Sequence, residues 1–352
     1  MIISRTPYRI SFFGGGTDYP DWYLKNGGSV LATAIDKYCY ITCRYLPPFF
    51  EHKIRIVYSR VESCQSINDI QHPSVRETLR FIKVKRGVEI HHDGDLPARS
   101  GMGSSSSFTV GLLHTLYAIE GKMPTKKQLA LDSIHIEQNM IKETVGSQDQ
   151  VSAAYGGFNK IDFSTNGDIN VNLIVLSKDR LKELNEHLML LYTGIVRTAS
   201  NVAVSYVNNI DKKSELLNRM HNMVDEGISI LKGNSCVCKF GELLNEAWKA
   251  KRGLSSKVTN STVDELYEFA KSNGAIGGKL TGAGGGGFLL LFVPPSHQKK
   301  VREAFGNMIH VPFSFEPNGS QIIFYDPDQK DYSSIENDRT NRTISPFREL
   351  TQ

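Results

Sequence analysis

Two glycines and four consecutive serines precede an apolar run in the segment Leu96–Leu113, LPARSGMGSSSSFTVGLL. Gly101 and Gly103 tolerate positive φ angles, which lets the backbone approach a ligand closely. Ser104 or Ser105 can cap the helix that the apolar spacing predicts after them. The first amides of that helix lack internal acceptors and its dipole is positive there, so the segment can bind a phosphate group. It matches neither the Walker pattern nor the dinucleotide G-x-G-x-x-G pattern, and a capped loop without a ligand is the alternative.

Asp149 is a candidate for the basic or orienting group of a phosphoryl transfer. It lies in GSQDQ, where Ser147 and Gln150 have the spacing of a capping box, so we expect it in the first turn of a helix. Phosphoryl transfer needs positioning and charge neutralisation more than covalent help from the protein. A carboxylate at a helix N-terminus is stabilised as an anion, which favours orientation of the attacking hydroxyl over early proton removal. The alternative is a carboxylate that only complements the helix dipole.

Strands and helices must hold the glycines and Asp149 in place, and the sequence of the first half of the chain predicts both kinds of element. β-branched and aromatic residues predict strands in RISFF, TAIDKYCYITCRYL and GVEIHHD. Helical spacing predicts one helix that follows the serines and stops at Gly121. It predicts a second helix over TKKQLALDSIHIEQNMIKETVG, ending at Gly146.

The second half of the chain predicts another mixed unit. A largely helical stretch follows the apolar strand HLMLLYTG and runs to about residue 270, before the glycine-rich GGKLTGAGGGG and the strand FLLLFV. We therefore predict an α+β fold with two domains, residues 1–180 and 181–326. Residues 327–352 are polar with few apolar anchors, and we expect a tail there.

The composition argues against several classes of protein. The 352 residues are 40% hydrophobic and 22% charged, which is globular composition, and a formal net charge of +4 is too mild to argue for nucleic acid. Five cysteines without regular spacing argue against a disulfide framework and against a zinc site. No apolar run has the length of a secretory signal or a membrane span. We expect a cytoplasmic protein that acts on a small molecule, with no nucleic-acid or membrane partner, and a homodimer stays an open alternative.

Three glycine-dense segments in this order resemble the three motifs of the GHMP kinase superfamily, which includes galactokinase, homoserine, mevalonate and phosphomevalonate kinases. The first is PYRISFFGGGTDY, Pro7–Tyr19, and the second is PARSGMGSS, with Met102 where the family usually has leucine. The third, Lys-x-Thr-Gly-Ala-Gly-Gly-Gly-Gly, is present in full from Lys279 to Gly287. The match covers residues 1 to about 325. RTPYRISFFGGGTDYPDWY together with ATAIDKY is most similar to the bacterial D-glycero-D-manno-heptose 7-phosphate kinases.

This resemblance implies a fold and an activity. The first domain would be like ribosomal protein S5 domain 2 and the second would be ferredoxin-like, with ATP and Mg²⁺ as cofactors. The implied reaction phosphorylates the anomeric hydroxyl of D-glycero-D-manno-heptose 7-phosphate, a sugar phosphate, to give the 1,7-bisphosphate. Three alternatives stay open: another sugar-1-kinase of the fucose or galactose type, a kinase for a non-sugar alcohol, and a non-catalytic sugar sensor.

The resemblance also assigns roles to residues. Asp149 acts on the acceptor hydroxyl, and Arg9 lies near it or near the transferred phosphate. Glu137 binds Mg²⁺ together with Ser105, and Ser104 is the competing choice. The predicted ATP-binding residues are Arg99, Ser100, Gly101, Met102, Gly103, Ser104, Ser105 and Ser106. The predicted substrate-binding residues are Asp18, Gly15, Gly16, Thr17, Arg197, Gly282, Gly284 and Gly285.

The first motif departs from that of galactokinases, which have Gly-Glu-His-x-Asp where this chain has Gly-Gly-Gly-Thr-Asp. We expect Gly15 and Gly16 to leave room, and free amides, for a longer sugar that carries a phosphate. Such a phosphate requires a cation, and Arg197 follows an apolar strand and a glycine, where a site can form. The other candidate cations are Arg60, Arg76 and Lys37.

Overall fold

The computed structural model of the chain describes residues 1–47, 49–195, 199–207 and 210–326. The predicted polar tail, residues 327–352, and the candidate cation Arg197 lie outside the described residues. Among the helices that are described, none combines the length and the apolar character needed to cross a bilayer.

An eight-stranded sheet carries the first glycine-dense segment between its two longest strands. Its strands are β1 Ile2–Phe13, β2 Gly28–Tyr45, β3 Ile54–Val57, β4 Val61–Cys64, β5 Val88–Gly94, β6 Phe158–Phe163, β7 Ile169–Leu173 and β12 Gln321–Tyr325. The order is β12-β1-β2-β5-β3-β4, and β6 pairs with β2 and with β7. These pairings are antiparallel except that of β3 with β5, which is parallel.

Helices cover this sheet, and one of them begins at the serine run. They are α1 Pro20–Asn26, α2 Pro73–Ile82, α3 Ser104–Ile119, α4 Lys126–His135, α5 Gln148–Tyr155 and α6 Lys178–Glu186. A π-helical turn, Ile136–Met140, follows α4 directly. Helix α3 lies against the sheet so closely that a Cβ on Gly111 would be 2.8 Å from the Thr6 hydroxyl of β1. The start of α3, and with it the serine run, is therefore fixed relative to β1.

A four-stranded antiparallel sheet forms the second half. Its strands are β8 Leu188–Tyr192, β9 Gly277–Leu280, β10 Phe288–Phe292 and β11 Ile309–His310, in the order β11-β8-β10-β9. The helices of this half are α7 Ala199–Val207, α8 Ser214–Lys232, α9 Cys238–Arg252, α10 Ser261–Ser272 and α11 Pro295–Ala304. The third glycine-dense segment connects β9 to β10, so the turn between two strands of this sheet carries it. The predicted mixed α+β architecture is confirmed.

Two sequence predictions differ from the structure. The helix predicted to end at Gly146 ends at His135, because a π-helical turn follows it. After that turn, the side-chain amide of Gln138 donates to the Val145 carbonyl at 3.0 Å. The segment predicted to close the second domain returns to the first sheet, since β12 pairs with β1. The boundary near residue 180 stays a prediction.

Aromatic side chains at the end of β1 join the two halves. Phe12 and Phe13 are buried, and both rings pack edge-on against Phe240 of α9, with ring centroids 5.3 and 4.9 Å apart. Helix α8 approaches the same strand, and a Cβ on Gly227 would lie 2.6 Å from the Phe13 ring. Edge-to-face aromatic pairs add stabilisation beyond their buried area. This packing sets where the end of β1 lies relative to α8 and α9.

Gly227→Ala should lower the free energy of unfolding by about 1–2 kcal/mol, measured by urea denaturation. Alanine favours a helix over glycine by about 1 kcal/mol, but the added methyl group would overlap the buried Phe13 ring, and overpacking costs about 1–3 kcal/mol. The matched control is Asn222→Ala on the exposed face of α8, which should change stability by less than about 0.5 kcal/mol. A Gly227→Ala protein more stable than the wild type would contradict this packing.

Candidate active site

An ion pair between Arg9 and Asp149 joins the first sheet to α5. The Arg9 Nε and Nη2 atoms donate to the two Asp149 carboxylate oxygens, each at 2.7 Å, and Nη1 donates to the Gly101 carbonyl at 2.9 Å. The Arg9 side chain is 5% exposed and that of Asp149 is 25% exposed. Bidentate arginine–carboxylate geometry fixes orientation as well as distance, so the carboxylate is held in place while part of it stays accessible.

We call residues 99–104, which lead into α3, the phosphate-binding loop after their predicted role. Gly101 and Gly103 have φ angles of +79° and +76°, as the sequence predicted. The predicted serine cap is wrong, because Gly103 occupies the N-cap position and the Ser104 hydroxyl accepts from the Arg99 amide at 3.1 Å. Met102 is fully buried, so only its backbone can reach a ligand. The first amides of α3 still lack acceptors within the helix.

The ion pair and this loop are in direct contact. A Cβ placed on Gly103 would lie 3.2 Å from Arg9 Cγ and 3.5 Å from the Asp149 Oδ2 atom. The Arg9 amide donates to the Met102 carbonyl at 3.1 Å. A phosphate group on the loop amides would therefore lie beside the Asp149 carboxylate.

The third glycine-dense segment packs on the phosphate-binding loop. A Cβ on Gly282 would be 2.6 Å from the Gly101 Cα, and one on Gly287 would be 2.1 Å from the Ser100 carbonyl oxygen. Each position therefore requires glycine for close backbone approach. Gly284 and Gly285, predicted to bind substrate, instead lie against Val258, whose carbonyl accepts from the Gly285 amide at 2.8 Å.

Asp18 lies in a closed hydrogen-bonded setting next to α5. Its carboxylate accepts from the Gly16 amide at 2.8 Å and from the Gln148 side-chain amide at 2.9 Å. A Cβ on Gly146 would be 1.9 Å from this carboxylate, so glycine is required there. Burial raises the pKa of the Asp18 carboxyl and the nearby Asp149 charge adds to the rise, while the two hydrogen bonds oppose it. The structure thus brings two carboxylates together at the N-terminus of α5.

The glycines before Asp18 differ in their surroundings. A Cβ on Gly15 would make only van der Waals contacts, at 3.7 Å from the Ser11 hydroxyl and 3.8 Å from the Gln148 amide. Gly16 has a φ angle of +110°. The buried hydroxyl of Thr17 donates to the backbone carbonyls of Gly14 and Ser29, and the substrate-binding role of Thr17 stays a prediction.

Glu137 is a fully buried carboxylate with one unpaired oxygen. Its Oε2 atom accepts from the Ser106 hydroxyl at 2.9 Å and from the Gln150 side chain, whereas Oε1 has no hydrogen-bond partner among the described residues. Burial raises the pKa of Glu137 to about 7, against the opposing effect of its hydrogen bonds. The partner serine differs from the prediction, because Ser105 is exposed on the first turn of α3 while Ser106 faces the carboxylate.

These residues fit a magnesium ion. An orphaned carboxylate oxygen next to a serine hydroxyl is a hard-oxygen donor set, and Mg²⁺ commonly takes only one or two protein oxygens beside water and phosphate oxygens. The described residues contain no group of three or more His, Cys, Asp or Glu able to hold a metal.

The other predicted cations are engaged elsewhere or lie apart. Arg76 donates to Glu77 and to the Ile70 carbonyl, and Lys37 donates to its neighbour Asp36. Arg60 is exposed in the hairpin between β3 and β4. Arg99 is exposed as well and has an unusual positive φ of 59° at the start of the loop. The hydroxyl of Ser100 is buried and has no hydrogen-bond partner in the part of the chain that the structure describes.

Sequence reasoning missed several residues of this site. Gly146 and Gln148 act through contacts that only the folded chain creates, and Ser106, predicted for ATP, instead donates to Glu137. Lys251 lies in the charged run KAKR of α9, which reads as a solvated helix face, but its side chain is buried. No local pattern distinguishes it from the exposed Lys249 two residues earlier.

Comparisons with known proteins agree with this geometry. The GHMP kinases N terminal domain matches residues 73–157, and the GHMP kinases C terminal domain matches residues 236–310. A D-glycero-alpha-D-manno-heptose 7-phosphate kinase of Campylobacter jejuni is 28% identical over 316 residues, covering 86% of this chain and 92% of that protein. A bifunctional fucokinase/GDP-fucose pyrophosphorylase of Arabidopsis thaliana is 26% identical, and the match spans 84% of this chain but 30% of the plant protein.

A solved structure shares the fold. The crystal structure of a D-glycero-D-manno-heptose 1-phosphate kinase from Bacteroides thetaiotaomicron superposes with a TM-score of 0.76. The superposition covers 93% of this chain and 100% of the other, at 23% sequence identity. At that identity the likeness concerns the fold alone.

Glu137→Gln should raise the free energy of unfolding at pH 8 by about 1–3 kcal/mol in buffer without divalent cations. A carboxyl group with a raised pKa in the fold destabilises it as pH rises from about 4.5 through about 7, so the gain should vanish near pH 4. Urea denaturation at both pH values measures this.

Mg²⁺ should stabilise the wild type at pH 8 more than the Glu137→Gln protein. Glu215→Gln, an exposed position in the first turn of α8, is the control and should show neither effect. A Glu137→Gln protein that responds to Mg²⁺ as the wild type does would remove this carboxylate from the metal site.

Proposed function

We propose that this chain, which belongs to the GHMP kinase family and carries both of its domains, is a sugar kinase for heptose 7-phosphate. It would transfer the terminal phosphate of ATP to the anomeric hydroxyl of D-glycero-D-manno-heptose 7-phosphate. The products would be the 1,7-bisphosphate and ADP. The observation that carries this proposal is the contact between the Arg9–Asp149 pair and the Gly101–Ser104 loop. A phosphate site and an oriented carboxylate side by side are the parts that phosphoryl transfer requires.

The loop supplies the nucleotide site in this proposal. Amides at the N-terminus of α3 and the positive end of its dipole favour the phosphates of ATP. The backbone of Gly282 lies on the opposite side of Gly101 and closes the loop from the second half of the molecule. Both segments would contact the phosphate oxygens through backbone groups, so binding would require no rearrangement of side chains.

Asp149 holds the acceptor hydroxyl in this proposal. Arg9 keeps the carboxylate in one orientation through two charge-assisted hydrogen bonds. The acceptor oxygen then meets the terminal phosphorus from a fixed direction, which is worth several orders of magnitude in rate. The proton of the hydroxyl leaves toward this carboxylate during the transfer.

Glu137 and Ser106 would hold magnesium, which would supply charge neutralisation for the phosphates when bound. The unpaired oxygen of Glu137 and its neighbouring hydroxyl support this assignment. Their position in the first turn of α3 and in the π-helical turn after α4 is next to the loop that would carry the phosphates.

Asp18 and the Gly15 amide would hold the sugar. Asp18 lies close to Asp149 at the start of α5. Hydroxyls on the acceptor ring would bind Asp18 while the anomeric hydroxyl faces Asp149. A Cβ would fit at Gly15 without a clash, and in this proposal the glycine leaves that volume to the substrate. Heptose 7-phosphate is favoured because the Campylobacter jejuni relative matches over most of both chains. A fucose- or galactose-type sugar-1-kinase is the second candidate, since the plant relative has fucokinase activity in its name.

A coupled ADP-release assay with Mg²⁺ and ATP tests the proposal on heptose 7-phosphate, heptose, fucose, galactose and mannose. We expect the highest kcat/KM for heptose 7-phosphate. Asp149→Asn should lower kcat by about 10²–10⁴ because the orienting carboxylate loses its charge, while Asp179→Asn on exposed α6 should not. Preference for fucose or galactose would replace the substrate, and absence of ADP release with every sugar would favour a sensor.

Gly15→Glu should reduce kcat/KM for heptose 7-phosphate more than for galactose or fucose. The backbone accommodates a side chain there, but a glutamate would fill the space and place a negative charge beside the phosphorylated sugar. The same assay measures both ratios, and circular dichroism confirms that the variant folds. Equal losses for phosphorylated and neutral sugars would refute the idea that the glycine selects the longer substrate.

A further inference from the structure

Lys251 is a buried cation to which no motif assigns a role. Its side chain extends from the last turn of α9 and is 6% exposed. Within the part of the chain that the structure describes, its ammonium has one acceptor, the carbonyl of Gly282. A lysine ammonium has three donors, so two remain without a partner among these described residues.

This ammonium lies at the junction of the three glycine-dense segments. Gly282, its acceptor, packs on Gly101 of the phosphate-binding loop. The charges of Arg9, Asp18 and Asp149 act on Lys251. Lys251 is therefore buried close to the Arg9–Asp149 pair and the phosphate-binding loop, where the nucleotide and the acceptor would meet.

The other charged groups around Lys251 are already satisfied. Arg9 is bound to Asp149 in bidentate fashion, and Lys279 of β9 donates to the Ser11 and Phe12 carbonyls, each at 2.9 Å. Asp18 accepts two hydrogen bonds from uncharged amides. By formal charge, two carboxylates lie beside three basic side chains, although burial lowers the pKa of Lys279 well below its usual value. The donors left free are those of Lys251.

A buried ammonium with free donors lowers the stability of the fold when no ligand is bound. Burial, and then repulsion from Arg9, lower the pKa of Lys251 to about 8, although Asp18 and Asp149 oppose the shift. A buried, incompletely paired ammonium destabilises a fold, and an apolar side chain of similar size is commonly tolerated better. An anion in the cleft would supply the missing acceptors and the missing charge.

We propose that Lys251 contacts the phosphoryl group while it passes from the nucleotide to the acceptor. This inference rests on the proposed kinase function. The acceptor oxygen forms a bond to the terminal phosphorus while the bond from that phosphorus to the bridging oxygen of ADP breaks. The hydroxyl proton leaves by way of Asp149. Lys251 keeps its proton throughout and stabilises the negative charge on the phosphoryl oxygens, as fixed cations do in phosphoryl transfer.

The test compares Lys251→Met, Lys251→Arg and the control Lys249→Met by steady-state kinetics and urea denaturation. Lys251→Met should lower kcat by about 10²–10³ with little change in either KM, and should unfold at the same or a higher urea concentration. Lys251→Arg should recover part of kcat because it restores the charge. Lys249 lies on the same helix but is exposed, so its variant should match the wild type.

A pH profile separates this role from a structural one. Wild-type kcat/KM should fall as pH rises through about 8, because the deprotonated amine carries no charge, and the Lys251→Met protein should lack this fall. The groups facing Lys251 that could also titrate are Asp18, Asp149, Lys279 and Arg9, and none of them is altered in the variant.

Three results would overturn the inference. The first is an unchanged kcat in Lys251→Met, and the second is a loss of activity explained by lower stability alone. The third is a rise in KM confined to the phosphorylated sugar, which would assign Lys251 to the substrate's own phosphate. An inactive wild type would contradict the proposed function instead. Measuring the wild type on every sugar first keeps the two failures distinct.

Discussion

The bidentate pair between Arg9 and Asp149 is the interaction on which the site depends. One guanidinium group binds a carboxylate on α5 and the Gly101 carbonyl at the same time, so it ties β1, the phosphate-binding loop and α5 into one unit. Gly103 must lack a Cβ for the loop to approach this pair. Removing the charge, or adding bulk at the glycine, would separate the phosphate site from the carboxylate that faces it. The pair is therefore a geometric constraint as much as an electrostatic one.

Much of this arrangement follows from local sequence. Positive φ at Gly101 and Gly103, the helix after the serines and the position of Asp149 in the first turn of α5 all agree with prediction. Each depends on short-range chemistry: glycine permits backbone conformations that other residues avoid, and apolar spacing specifies a helix. The second and third motifs also pack together, because Gly282 and Gly287 close on the loop as a tight backbone approach requires.

The remaining features depend on long-range contacts that no local pattern encodes. The serine beside Glu137 is decided by the rotation of α3 against the π-helical turn, so Ser106 rather than Ser105 faces the carboxylate. Thr17 has its hydroxyl bound to backbone carbonyls, although its place in the motif predicts a ligand contact. Lys251 has the sequence context of an exposed helix lysine, and only the packing of α9 on β9 buries it.

A crystal structure with a non-hydrolysable ATP analogue and the acceptor sugar tests the central claim most directly. We predict that the terminal phosphate lies on the amides of residues 101–105. The acceptor oxygen should be within hydrogen-bond reach of Asp149, about 2.6–3.2 Å. A nucleotide bound away from this loop, or an acceptor oxygen remote from the Asp149 carboxylate, would contradict the account.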